Sequence, residues 1–523
     1  MIRFANDRRA FDRRALLRGF SGLAAAALVP SLGPSLGPSL GPSLAAAALV
    51  PSLGPSLGPS LAAAATPDAL AAWRAAGTER DVRRLTVEGR FPADLRGVFY
   101  RNGPTPQMAG GGRGRHWFDG DGLMQAWRIG APDAASYRSR FVATHKRQAE
   151  AEAGRPLFPT FSERPPNTDP LTPSHRLNPA NINALPINGR LLALWETGPA
   201  WELDPATLET RGEVAWRSDL RGLAFSAHPK IDPSGEVWNF GVNYPGGEMM
   251  VWRIGADGAL KRFAVLKIKH PGMLHDVAIT EKSLIFALTP YFLDPEKLAA
   301  GQNFLDAHDW RPDQPIRLIA VDKDDPDKLR TWEAPAGFGF HFSNAWEEAD
   351  GTIRFDFTLA DDPGIVARRL AGVMAGRWAD AAPLRLTSFV LRPGGRVETA
   401  ALTSGASEFP RIDPAAVGRR HDAVFHLENL AGGPWFDGVV RRDGDGAPQG
   451  AYRYPAGQIP EEHVFVPQPG GDAGWVLGTV IDVASDRHGL TVFAAARLSD
   501  GPLATAWLPG VQPPGLHGAF VAA

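Results

Sequence analysis

Residues 352–360 read TIRFDFTLA and residues 384–393 read LRLTSFVLRP. β-Branched and aromatic residues alternate with polar ones, and turn formers close each run, which is the mark of a β-strand. Working outward, the same pattern recurs at SLIFALTPYF (283–292), PIRLIAVDK (315–323) and GEVWNFGVNY (235–244) on one side. It recurs at WVLGTVIDVAS (475–485) and LTVFAAARL (490–498) on the other. Helical pattern is scarce, with candidates only at PEKLAAGQNF (295–304) and near 366–379. The body, residues 66–523, is therefore expected to be all-β. Many short strands in one soluble chain make sandwiches or a propeller, and a blade-like recurrence of four strands favours the propeller.

The 523 residues carry a formal charge of -2. Residues 1–65 hold six Arg against two Asp, a contribution of +4, so the remainder stands near -6. A mildly acidic body argues against nucleic acid as partner, because phosphate binding needs a basic face. With Cys 0, disulfides, thiolate nucleophiles and thiolate-bound metals are excluded. Any metal must be held by His, Asp, Glu or main-chain oxygen.

The first 65 residues form a separate segment. RRALLRGFSGLAAAALVP (13–30) has the form of a twin-arginine export signal, with paired arginines ahead of an Ala-rich apolar run. A duplicated SLGP-repeat tract follows to residue 61. Its regular Pro and Gly forbid a helix, and hence a membrane-spanning one. It reads as a stretched signal or a flexible linker. The expected destination is the periplasm or the exterior.

Four of the thirteen histidines stand in distinctive settings: His228 in FSAHPKID, His275 in PGMLHDVAIT, His341 in GFGFHFSNAWEE and His517 in PPGLHGAF. Each borders a strand start or a tight turn. Their separations of 47, 66 and 176 residues suit ligands gathered from separate blades around an axis. They do not suit a zinc finger or an HExxH helix. Taken singly, each would be an ordinary structural histidine.

The flanking sequence resembles the carotenoid cleavage oxygenases, the family of apocarotenoid oxygenases, retinoid isomerohydrolase and lignostilbene dioxygenases. Nine ordered segments carry the resemblance: GVFYRNGPTP (97–106), HWFDGDGLMQAW (116–127), ANINALPINGRLLALWETG (180–198), SAHPKID (226–232), HDVAIT (275–280), FHFSNAWEE (340–348), SEFPRID (407–413), EEHVFVPQPG (461–470) and GLHGAF (515–520). It implies a seven-bladed β-propeller with a small helical cap over an iron site. One Fe(II) per chain would be bound by His228, His275, His341 and His517. Glu196, Glu408 and Glu462 would support those histidines, with Glu461 an adjacent rival to Glu462. No catalytic side chain beyond the metal ligands is implied. FDGDG (118–122) reads as a structural turn, and His116, His270 and His463 match no ligand position.

The resemblance further implies dioxygen-dependent cleavage of a carbon–carbon double bond in a carotenoid or apocarotenoid. Three positions depart from relatives. Ile182 stands where many carry threonine near an open iron position, which makes the pocket drier. Trp195 and Phe161 replace the lysine and tyrosine with which stilbene-cleaving relatives hold a phenol. Both replacements favour an apolar polyene over a phenolic stilbene. The alternatives are a stilbene or phenylpropanoid alkene dioxygenase, isomerohydrolase-like ester chemistry, and a non-catalytic polyene-binding protein. An apolar patch at the tunnel mouth is expected to touch a membrane. LAGVMAGRW (370–378) is one candidate, with Val373 and Met374 lying between Arg369 and Arg377, and a short buried helix is the equal reading.

Overall fold

The computed structural model describes residues 68–168, 172–244, 246–468 and 473–523. The export-signal and linker reading of residues 1–65 falls outside them. The described strands form seven antiparallel sheets of four or five strands, the blades of a propeller, and one two-stranded ribbon of Tyr291–Leu293 and His308–Trp310. Blade two is typical: Asn183–Ile187 innermost, then Arg190–Leu194, Trp201–Leu203 and Thr210–Glu213 outward. Its first turn shows why the sequence folds so. Asn188 and Gly189, at φ 49 and 72, supply the two left-handed residues that a tight hairpin of this hand requires. The inner strands of blades three to six are Lys230–Ile231, Ala278–Ile279, Phe338–Glu347 and Ser407–Arg411.

Blades one and seven close the ring by exchanging ends. The C-terminal strand His517–Ala522 is the inner strand of blade one and pairs with Gly97–Asn102, Asn102 opposite His517. Near the N-terminus, Thr86–Gly89, the second described strand, is the outer edge of blade seven, where it pairs with Ala504–Pro509; the inner strand there is Gln458–Pro467. Unzipping the ring must break both seams together.

The core is a set of apolar layers between blades. Phe240 of blade three meets Phe286 of blade four edge to face at 5.6 Å, and Phe99 and Leu490 share the layer between blades one and seven. Short helices cap one end of the axis. Among them are Ala69–Arg74, Trp117–Asp119 and the consecutive turns Ile365–Arg369 and Leu370–Met374. Pro295–Ala299 is the shorter helix realised from the 295–304 candidate.

The exposed-patch reading of 370–378 is corrected. Val373 is 0% exposed, and Leu370 and Met374 are buried in the cluster that contains Trp73 and Trp117. Trp378 stacks on Trp435 at 5.7 Å. Trp73, Trp117 and Trp435 join Trp378 over this segment, and Leu370, Val373 and Met374 face inward. Among the described residues no helix is long and apolar enough to cross a membrane.

Candidate metal centre

In each blade the side chain delivered to the capped end of the axis lies in, or just before, the first half of the inner strand. His228 and His275 sit in loops just ahead of Lys230–Ile231 and Ala278–Ile279. His341 and Glu408 lie within the inner strands of blades five and six, and His517 opens that of blade one. Glu462 comes from blade seven, and blade two brings Ile182 ahead of its inner strand and Glu196 after its second. The ladders are irregular beside His341, Glu408 and Glu462. Such bulges re-aim side chains at the cost of a ladder bond.

One nitrogen of each of the four histidines lies within 4.8 Å of the others. All four rings are buried. His341 Nδ1 donates to Glu408 Oε2 at 2.5 Å and His517 Nδ1 to Glu462 Oε1 at 2.8 Å. His275 Nδ1 pairs with Glu196. With Nδ1–H committed to a carboxylate, Nε2 is left as a bare lone pair. Yet His275 Nε2 and His341 Nε2 face each other at 3.0 Å. His228 Nε2 is buried and finds no hydrogen-bond partner among the described residues. Converging lone pairs repel and an orphaned acceptor is costly, so the arrangement fits a cation shared by all four nitrogens. Glu462 rather than Glu461 supports His517; Glu461 is spent on His488 Nε2 at 2.6 Å and on Arg101 at 3.3 Å.

Burial, with three histidine neighbours, holds the His228 imidazole well below 6.5. Burial takes His517 down to about 3 against the pull of Glu462. Both rings are therefore neutral donors of the kind metals bind. Burial pushes the Glu408 carboxyl up, but His341, Phe409 N–H and Thr358 outweigh it and hold it below the usual range. Glu462 is likewise driven well down, by Arg411 and His517 against burial.

Two apolar cavities adjoin the cluster. One lies beside His275, His341 and His517, walled by Trp117, Phe340 and Phe409. The other runs from His275 past Trp195, Phe161 and Tyr244. Ile182, 4% exposed, borders both. The three positions that depart from relatives are thus gathered on one apolar wall. His116 and His463 are used elsewhere, donating to Val366 O at 2.9 Å and to Glu461 O at 2.6 Å.

A family profile described as RPE65, retinal pigment epithelial membrane protein, matches residues 73–522. The chain belongs to this family. Resveratrol cleavage oxygenase 1 of Aspergillus fumigatus is 30% identical over 482 residues, covering 85% of this chain and 93% of the relative. Carotenoid cleavage oxygenase 1 of Neurospora crassa is 29% identical over 483 residues, covering 85% and 88%. Among solved structures, a mutant of the Synechocystis apocarotenoid oxygenase superposes with a TM-score of 0.79 at 27% identity, covering 87% of this chain and 98% of that one. Membership in the carotenoid cleavage oxygenase family makes the chain an oxygenase, and its seven blades are those of its structural relatives.

Sequence reading missed three residues at the centre. Thr358 Oγ1 donates to Glu408 Oε1 at 2.7 Å and accepts from His341 N–H at 3.0 Å. Arg411 donates to Glu462 Oε1 from Nε at 2.9 Å and from Nη2 at 2.7 Å. Phe409, at φ 56, lays its ring against His341 at 5.6 Å. A non-glycine residue held left-handed beside a site is local strain kept for function. The available signals were one inward polar residue in TIRFDFTLA and one Arg in SEFPRID.

Proposed function

We propose that the protein is an iron-dependent dioxygenase that cleaves a carbon–carbon double bond of a carotenoid or apocarotenoid into two carbonyl products. The observation that carries this reading is the meeting of four lone-pair imidazole nitrogens with an apolar cavity. His228, His275, His341 and His517 would hold one Fe(II), and neutral imidazole suits that ion. When bound, it would supply the site at which dioxygen is activated beside the alkene. Glu196, Glu408 and Glu462 fix the ring angles and tautomers of three ligands. Phe161, Trp195 and Ile182 offer a polyene an apolar wall and offer a phenol no ionising partner. The cavity walls exclude water, which protects reactive oxygen species from side reactions. No side chain need move a proton.

The same reading makes residues 1–65 a twin-arginine export segment, the mature protein periplasmic or secreted, and contact with a lipid surface the source of so apolar a substrate. Residues 370–378 do not provide that contact. Fusing residues 1–65 to a reporter and following its export in a strain lacking the twin-arginine translocase tests the export half.

The catalytic half is tested by incubating iron-loaded protein, purified anaerobically, with an apocarotenal and, separately, a hydroxystilbene under oxygen-labelled dioxygen. Two labelled carbonyl products from the polyene alone, lost in His275→Ala, are expected. Cleavage of the stilbene alone overturns the substrate class. Tight polyene binding with bound iron and no product overturns catalysis in favour of carriage.

A further inference from the structure

Three carboxylates touch the histidine cluster, but they are not alike. Glu408 accepts only from neutral groups: His341 Nδ1 at 2.5 Å, Thr358 Oγ1 at 2.7 Å and its neighbour's N–H, that of Phe409, at 2.6 Å. Glu196 is paired with His275, and no guanidinium or ammonium pairs with it among the described residues. Glu462 differs, because Arg411 closes on the same oxygen that receives His517 Nδ1, while Gly518 N–H takes Oε2 at 2.8 Å. Two further buried carboxylates lie one residue from this set, and each has its own cation. Asp276 is held by Lys230 at 2.9 Å, and Glu461 by Arg101 at 3.3 Å.

Imidazoles that give their lone pairs to one cation are neutral, so the charges around the largely buried centre can be counted from the carboxylates and their cations. The five carboxylates Glu196, Glu408, Glu462, Asp276 and Glu461 face the three cations Arg411, Lys230 and Arg101, leaving two negative charges unpaired. That matches a divalent ion. A trivalent ion would leave one positive charge uncompensated in a low-dielectric site, where charge imbalance is expensive. Each of the three cations contributes to this sum, but of the three carboxylates that touch a ligand ring only Glu462 has one, Arg411, among the described residues.

We propose that Arg411 is a positioning and redox-poising residue: by neutralising Glu462 behind His517, it matches the four-histidine centre to a divalent ion and resists oxidation of iron to the ferric state. The inference rests on the iron reading above. Without Arg411 the uncompensated Glu462 adds a third negative charge and stabilises Fe(III). In air the oxidation is one electron from the ferrous ion to dioxygen, giving a ferric ion and superoxide, and dioxygen is already the co-substrate. The guanidinium also fixes Glu462 Oε1, and through it the His517 ring. Its two nitrogens converge on that one oxygen, so a lysine, though it keeps the charge, fixes the oxygen less well.

The test uses the full-length protein loaded anaerobically with Fe(II). The ferric–ferrous midpoint is measured by redox titration, and the rate of appearance of high-spin ferric signal on exposure to air by electron paramagnetic resonance. In Arg411→Gln the equilibrium is expected to shift at least tenfold toward Fe(III), about 59 mV in midpoint, with faster oxidation in air. Arg411→Lys, which keeps the charge, should leave the midpoint close to that of the unaltered protein. Arg411→Gln combined with Glu462→Gln restores the charge count and should return the midpoint toward that of the unaltered protein. Should Arg411→Gln fail to fold, Glu408→Gln, which removes a negative charge, must move the midpoint the opposite way. A purely structural role for Arg411 would lower iron content while leaving the midpoint of the bound iron unchanged, and that result overturns the inference. An unaltered protein that binds no iron would instead overturn the functional reading itself.

Discussion

Replacing Glu408 by glutamine tests the carboxylate behind His341 almost isosterically. Glu408 now receives three donors, two of them, His341 Nδ1 and Phe409 N–H, on Oε2. A glutamine can keep its oxygen there only by turning its amide toward Thr358 Oγ1. That oxygen can accept, since it already accepts from His341 N–H, but its own proton then loses its acceptor. An unmade buried hydrogen bond of this kind costs about 1 kcal/mol. Exchanging the charge-assisted bond to His341 for a neutral one costs about 1 kcal/mol more. The total of about 2 kcal/mol corresponds to roughly a 30-fold loss of metal affinity, inside the range of about 10- to 100-fold typical of groups that orient a ligand. The assay is an anaerobic competition for Fe(II) or Co(II) against a chromogenic chelator, with circular dichroism to verify the fold. A folded variant within about threefold of the parent would refute the claim that Glu408 acts through His341.

Other outcomes follow from the same geometry. Burial lowers the His275 imidazole, but Glu196 more than offsets it and raises it above 6.5. Protons therefore compete with the metal as pH falls, and chelator-driven metal loss should be faster at acid than at neutral pH; a flat profile would contradict this. Lys146, 1% exposed, is clamped by Asp121 at 3.3 Å and Glu150 at 2.7 Å. Burial alone would lower its ammonium, yet these carboxylates hold it above 10.5, so its contribution is complete below that pH and lost as pH rises past the native value. Lys146→Met should cost about 3–5 kcal/mol in urea unfolding, and a loss below about 1 kcal/mol would count against a buried triad. Ile182→Thr puts a hydroxyl on two apolar walls and should cost about 1–3 kcal/mol, read as a lower melting temperature. An unchanged melt would mean that water reaches the cavity.

What was legible in the sequence was whatever is written locally. TIRFDFTLA declares a strand within nine letters, and the four histidines are marked by flanking turns and wide spacing. Thr358 and Arg411 were hidden because their partners Glu408 and Glu462 lie 50 and 51 residues away. A polar residue in a strand says nothing of which blade it will face. Residues 370–378 show the limit most plainly. A short apolar turn reads the same whether it meets lipid or indole, and here Trp73, from the far end of the chain, stands edge-on to Trp378 at 5.7 Å. Glu196, Glu408 and Glu462 were found through the family resemblance; hydrophobic periodicity carries no trace of them.

The strand that closes the ring has a consequence for how the molecule is made. His517 follows the preceding histidine of the cluster by 176 residues, and it sits on the strand that zips blade one shut. Synthesis runs from the N-terminus, so the other three ligands and the blades between them emerge well before the fourth imidazole exists. A polypeptide severed anywhere before residue 517 lacks both the ligand and the seam. Only a closed ring presents all four nitrogens together, so an ion that needs all four can be captured only after the ring shuts.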